Sequence, residues 1–117
     1  MENLTTQTFK EKIFNYDKSK DWKFEGTKPT IIEFGAEWCG PCRMMVPILE
    51  ELNEEYKEKI DFFKVDVDEN SEISSTFGIK NIPAILFIPI NVEPEMSIGA
   101  MSKTNFIKTI KEILKVD

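Results

Sequence analysis

The chain has 117 residues, 41% hydrophobic and 31% charged, the make-up of a soluble globule with one domain over 1–117 and enough core to fold unaided. Its formal net charge of −6 argues against nucleic acid and anionic membrane as partners. It contains no histidine, which removes Cys–His nucleophile pairs, histidine general bases and mixed Cys/His zinc sites.

Residues 1–7 carry neither a basic stretch nor an apolar signal core, so no targeting segment is read and a reducing compartment, the cytoplasm, is expected. An exported chain that had lost its signal would look the same. The spacing of Phe9, Ile13 and Tyr16 predicts a helix over 6–16, with Thr6 as its N-cap. Residues 17–29 are polar, carry Gly26 and Pro29, and read as a connection. Within it Trp22 and Phe24 alternate as in a short strand and are expected to cover an edge of the core. Thr30–Phe34 reads as a buried strand, apolar on both faces except for Glu33. A helix over 40–59 puts Met45, Ile48, Leu49, Leu52 and Tyr56 on one stripe and a run of glutamates on the solvated face. Pro47 lies inside it and should kink its axis. A strand over 60–67 follows, then a short helix over 71–77 ended by Gly78. Ala84–Ile88 and Glu95–Ile98 read as an antiparallel hairpin. The apolar run 82–90 is broken by Pro83 and Pro89 and is too short to span a bilayer. Ser102 caps a last helix whose stripe is Phe106, Ile107, Ile110, Ile113 and Leu114. A βαβ unit followed by β-β-α predicts an α/β fold, a mixed sheet with helices on both faces.

Cys39 and Cys42 are the only cysteines. Such a pair is a redox dithiol, half of a metal site, or an accident. A strand before it and a long helix after it place the first thiol at the helix's positive end, where thiolate is favoured. At this spacing the two thiols can close a small disulfide ring, so the second can expel whatever is bound to the first. Two cysteines cannot fill a four-thiolate zinc site, and a metal would need a second chain or carboxylates.

The sequence Ala36-Glu37-Trp38-Cys39-Gly40-Pro41-Cys42 resembles the active-site segment of the thioredoxin family. Pro47 after it, the run Gly78 to Pro83, and Gly99-Ala100-Met101-Ser102-Lys103 stand at family-like spacing, and the likeness extends from about Thr5 to Lys115. The resemblance implies a thioredoxin fold and a protein disulfide reductase that acts as a dithiol carrier. It needs no cofactor and no metal. Its partners are disulfide-containing clients and a separate reductase of the thioredoxin reductase type, and the carrier itself is expected to be a monomer. Cys39 would be the exposed attacking thiol and Cys42 the buried resolving one. Trp38, Gly40 and Pro41 would shape the client-facing surface. Ile82-Pro83 would form a cis bond facing the disulfide and pair with an extended client strand, with Gly99 and Ala100 bordering the same groove.

Three departures from the family stand out. Glu33 replaces the usual aspartate, Gly35 stands where an aromatic residue is frequent, and the segment between the first helix and Thr30, which carries Trp22 and Phe24, is longer than in compact members. Glu33 is the one nearby candidate base for Cys42, and burial should raise its pKa. Lys64 and Pro47 are supporting residues, with Lys64 the charge partner of Glu33. Gly35 should open space beside the site and loosen the backbone, unless Trp22 or Phe24 packs there in place of the missing ring. Asp66 and Asp68 read as strand-end and turn residues. Two other readings compete: a binding module that keeps its activity without cysteines, and an oxidant or isomerase.

Overall fold

The computed structural model describes residues 1–117. Its elements run β1 (Glu2–Leu4), α1 (Thr6–Lys12), β2 (Thr30–Gly35), α2 (Gly40–Glu55), β3 (Asp61–Asp66), α3 (Ser71–Thr76), β4 (Ala84–Ile88), β5 (Glu95–Ile98) and α4 (Lys103–Thr109), closed by a π-helical turn, Ile110–Leu114. The strands form one mixed sheet in the order β1-β3-β2-β4-β5. β1 and β2 run parallel to β3, while β4 runs antiparallel to β2 and β5 antiparallel to β4. Every residue of β2 and β4 is buried, as expected of the two inner strands whose runs are apolar on both faces.

Alternation along the strands sorts the side chains into two cores. On one face Ile32, Phe34, Leu86 and Val65 pack with Phe9 of α1 and Ile73 of α3. On the other Ile31, Ile85, Phe87 and Phe62 pack with Met45, Leu49 and Leu52 of α2 and Phe106 of α4. Phe9, Phe34, Phe87 and Phe106 are fully buried, and each such side chain contributes roughly 1.5–3 kcal/mol by leaving water.

The structure moves several predicted boundaries. β1 was not predicted; of its three residues only Leu4 is buried, so the pattern is too short to read. The first helix is capped by Thr5, not Thr6. Thr5 Oγ1 accepts the Thr8 N–H, the Thr8 hydroxyl accepts the Thr5 N–H, and the Thr6 N–H donates instead to Asn70 Oδ1. That helix ends at Lys12 because Asn15 folds back on the chain, its Oδ1 accepting the Asp17 N–H. α2 stops at Glu55, short of Lys59. Its last turns carry glutamates and no basic residue, which the negative end of a helix disfavours. α2 continues through Pro47, which lies on its exposed side. Trp22 and Phe24 lie in an extended segment that joins no sheet and is held by the Glu25 N–H to the Ile13 carbonyl at 2.8 Å.

Candidate active site

β2 ends at Gly35, the chain turns over Ala36–Trp38, and α2 begins at Gly40. Cys39 is the N-cap of α2, and its Sγ accepts the Cys42 N–H at 3.2 Å. Pro41 occupies the first turn, where a missing N–H costs nothing and the fixed φ suits the helix. Cys39 and Cys42 are joined as a disulfide, with Cα atoms 5.3 Å apart. In this form Cys39 is 5% exposed and Cys42 3%, so accessibility does not separate the two as the resemblance implied. What separates them is position: Cys39 sits beside Trp38, which is 69% exposed, and Cys42 faces the interior.

The opposite wall comes from the loop before β4. The Ile82-Pro83 bond is cis. Ile82 packs on the small cluster of Ala36, Cys39 and Cys42, and Pro83 is buried behind it. The Gly99 N–H donates to the Pro83 carbonyl at 2.8 Å, with Gly99 at φ +97°, a conformation that suits a residue without a side chain. Ala100, next along, is exposed. Gly40 and Pro41 are exposed as well, so Trp38, Gly40, Pro41, Ile82, Gly99 and Ala100 are all exposed or half-exposed, while Pro83 and the cysteines are buried. Pro47 stands apart, farther along α2.

Glu33 lies under α2 on the central strand and is 3% exposed. Its neighbours across the sheet are Lys64 on β3 and Ile85 on β4. Its Oε2 has no hydrogen-bond partner, and the side chain lines a cavity of about 400 Å³ shared with Gly35, Cys42, Lys64, Asp66 and Asn70. Burial pushes the Glu33 carboxyl up to about 7, against a smaller downward pull from the positive charge of Lys64. The two make no ion pair within the usual contact distance, so Lys64 acts through its field.

Asp68 is a site residue that sequence reading placed only in a turn. Its Oδ2 accepts the Trp38 indole N–H at 2.7 Å. Asp66 shapes that turn, its Oδ1 accepting the N–H groups of Asp68 and Glu69. The signal that could have found Asp68 is the register of β2 on β3, which pairs Gly35 with Asp66 and so carries the turn after β3 to the mouth of the site. Trp22 and Phe24 cover an edge of the core, as expected, and the alternative, an aromatic ring packed at Gly35, does not occur. Trp22 and Phe24 join the core on the α1/α3 side, where Trp22 packs 4.8 Å from Phe14 ring to ring. Gly35 faces the other side, toward Cys42 and Glu33. Its backbone is regular strand, with its carbonyl accepting the Val67 N–H at 2.9 Å.

A parallel-antiparallel sheet carrying a Cys-Gly-Pro-Cys disulfide at a helix N-cap, with a cis Ile82-Pro83 bond whose isoleucine packs on that disulfide, defines a dithiol–disulfide oxidoreductase of thioredoxin fold. The family model for thioredoxin matches residues 1–112. Thioredoxin of Borreliella burgdorferi is 44% identical over 110 residues, covering 94% of each chain. Thioredoxin 1 of a Nostoc species is 33% identical, covering 95% of this chain and 94% of that one. The chloroplastic M-type thioredoxin of Chlamydomonas reinhardtii is 35% identical over 86% of this chain and 71% of its own. Among solved structures, chloroplastic thioredoxin z superposes with a TM-score of 0.81 over 99% of this chain and 96% of that one, at 24% identity, a likeness of fold. The chain belongs to the thioredoxin family, whose members reduce disulfide-containing targets and are reduced in turn by thioredoxin reductase. No helix is long and apolar enough to cross a membrane, and no group of three or more Cys, Asp or Glu side chains is placed to hold a metal ion.

Proposed function

We propose that the protein is a cytoplasmic, monomeric protein disulfide reductase in which Cys39 attacks the client disulfide and Cys42 resolves the mixed disulfide. The observation that carries this reading is the place of Cys39 at the N-cap of α2, where its sulfur receives the Cys42 N–H beside the exposed Trp38. In the reduced protein the Cys39 thiolate is stabilised by that N–H and by the helix dipole. It attacks one sulfur of the client. The client S–S bond breaks, a Cys39–client disulfide forms, and the departing client thiolate takes a proton from solvent. Glu33, as carboxylate, takes the proton of the Cys42 thiol. The Cys42 thiolate attacks Cys39 Sγ, closes the Cys39–Cys42 disulfide, and expels the second client thiolate, which takes a proton from solvent in its turn. Two electrons and two protons pass to the client, and a reductase of the thioredoxin reductase type returns two electrons to the pair. The chemistry needs no cofactor beyond the two sulfurs. Trp38, Ile82, Pro83, Gly99 and Ala100 form the surface against which an extended client strand lies, with Gly40 and Pro41 at its edge. The Gly-Pro dipeptide between the cysteines and the absence of histidine support the reducing direction.

Single replacement of each cysteine tests the assignment. With an oxidised protein client, reduced Cys42→Ser should accumulate a stable covalent adduct through Cys39, and Cys39→Ser should accumulate none. Adduct formation through Cys42 in the Cys39→Ser variant would reverse the roles.

A further inference from the structure

Side chains two apart on a strand share a face, so Ile31, Glu33 and Gly35 all look toward α2. Ile31 is absorbed by the α2/α4 core. Glu33 and Gly35 are left beneath Cys42. The backbone does not demand glycine at 35, since only Gly78 and Gly99 among the glycines have positive φ. Space does. A Cβ at position 35 would stand 3.1 Å from Cys42 Cβ, 3.2 Å from Cys42 Sγ and 3.6 Å from Glu33 Oε1. The sulfur that must lose a proton and the oxygen that takes it therefore both border the one spot where a side chain at 35 would begin. A strand side chain leans along the strand, and glutamate is long enough to lean over the residue two positions on.

We propose that Gly35 is a positioning residue for the resolving step: having no side chain, it lets the Glu33 carboxyl lie over position 35 against Cys42, so that glutamate at 33 and glycine at 35 work as a pair. This rests on Glu33 being the base for Cys42. In that step the Cys42 proton moves to the Glu33 carboxylate, the Cys42–Cys39 bond forms, and the Cys39–client bond breaks with the electron pair leaving on the client sulfur. A methyl group at 35 stands in ordinary contact with Glu33 Oε1 but crowds Cys42. It shifts Cys42 by a few tenths of an ångström and so moves the sulfur relative to the carboxyl. An aspartate at 33, one methylene shorter, does not reach over position 35 and has nothing to lose there.

The test is single-turnover reduction of a protein disulfide, which separates formation of the mixed disulfide from its resolution. Gly35→Ala should slow resolution about tenfold or more, with formation changed less than about twofold. In the Glu33→Asp background the same change should be nearly silent, the double variant resolving within about twofold of Glu33→Asp alone. An equal slowing by Gly35→Ala in both backgrounds would overturn the proposal, as would no slowing in either. A Glu33→Asp/Gly35→Ala protein that fails to fold would overturn it as well, because position 35 would then be closed by Cys42 alone. Glu33→Gln reports separately on the underlying reading: if it leaves resolution untouched, Glu33 is not the base, whatever the outcome of the cycle.

Discussion

Trp38 presents most of its indole to solvent, where a side chain usually samples several rotamers. One hydrogen bond, from its Nε1 to Asp68, fixes it. The acceptor is a carboxylate, so the bond is charge-assisted, yet it is exposed and competes with water. Losing it should cost little stability and some order in the client-facing surface. We predict that Asp68→Ala lowers kcat/KM for a protein disulfide about two- to tenfold, the equivalent of roughly 0.5–1.5 kcal/mol. Reduction of a small aromatic disulfide, which does not span the groove, should stay within about twofold. Equal loss with both substrates would mean that Asp68 acts on the cysteines, not on Trp38. The cysteine pair and Glu33 were legible in the sequence because each announces itself within a few residues: two thiols in one turn, an acid in an apolar strand. The cis bond at Ile82-Pro83 was expected only from the family resemblance. Asp68 was not legible, because its role exists only across a separation of 30 residues, set by strand register.

At the scale of elements, the segment between α1 and β2 shows how tertiary contacts replace periodicity. Its alternation of half-buried Trp22, Phe24 and Gly26 with exposed neighbours reads as a strand, but no strand edge is there to receive it. Ring contacts hold it instead. Trp22 packs on Phe14, and Phe24 stacks nearly parallel to Trp22 at 6.3 Å. The Phe24 ring lies so close over Gly26 that a Cβ there would fall 2.3 Å from it. Nearby, Lys10 bridges Asp17 at 2.7 Å and Glu72 at 3.0 Å, and the Tyr16 hydroxyl donates to Glu72, tying the start of the segment to α3. Trp22→Ala should therefore destabilise the fold by about 2 kcal/mol, below the full cost of a buried Trp because the ring is only half-buried. Client reduction by the folded variant should be unchanged, since the ring lies on the α1/α3 side of the sheet. Urea unfolding and a turnover assay on one preparation decide it, and a large loss of turnover without loss of stability would contradict the placement. The same limit explains the other missed elements. β1 is three residues whose pairing partner, β3, lies some sixty positions on, and the π-helical turn after α4 keeps Ile110 and Leu114 in the core with a sequence that reads as plain helix.

For the molecule as a whole, the consequence of this architecture is an ionisable group in the middle of the central strand. Two apolar cores flank the sheet, and Glu33 sits where the α2-side core gives way to the active site. In the unfolded chain its carboxyl titrates near 4.5, and in the folded protein near 7. Between those values the folded state holds a proton that the unfolded state has released, so raising the pH favours unfolding. Below about 4.5 both states are protonated and Glu33 contributes no slope. Above about 7 both are ionised and the cost of the buried charge is fully present, on the order of 3 kcal/mol from a shift of this size. Other groups act in the opposite sense. Glu72 is held below its usual range by hydrogen bonds from Tyr16 and Lys10, a contribution present above its unfolded pKa and lost as the pH falls. A comparison with Glu33→Gln cancels these. With both proteins oxidised, so that neither cysteine titrates, the stability of the wild type relative to Glu33→Gln should fall by about 3 kcal/mol between pH 4 and pH 8, most of it between 4.5 and 7. Denaturant unfolding across that range measures the difference directly. Parallel curves would mean that Glu33 titrates alike in the folded and unfolded chains. A difference that falls as described would mean that the protein gives up stability at neutral pH to keep a carboxylate beside Cys42.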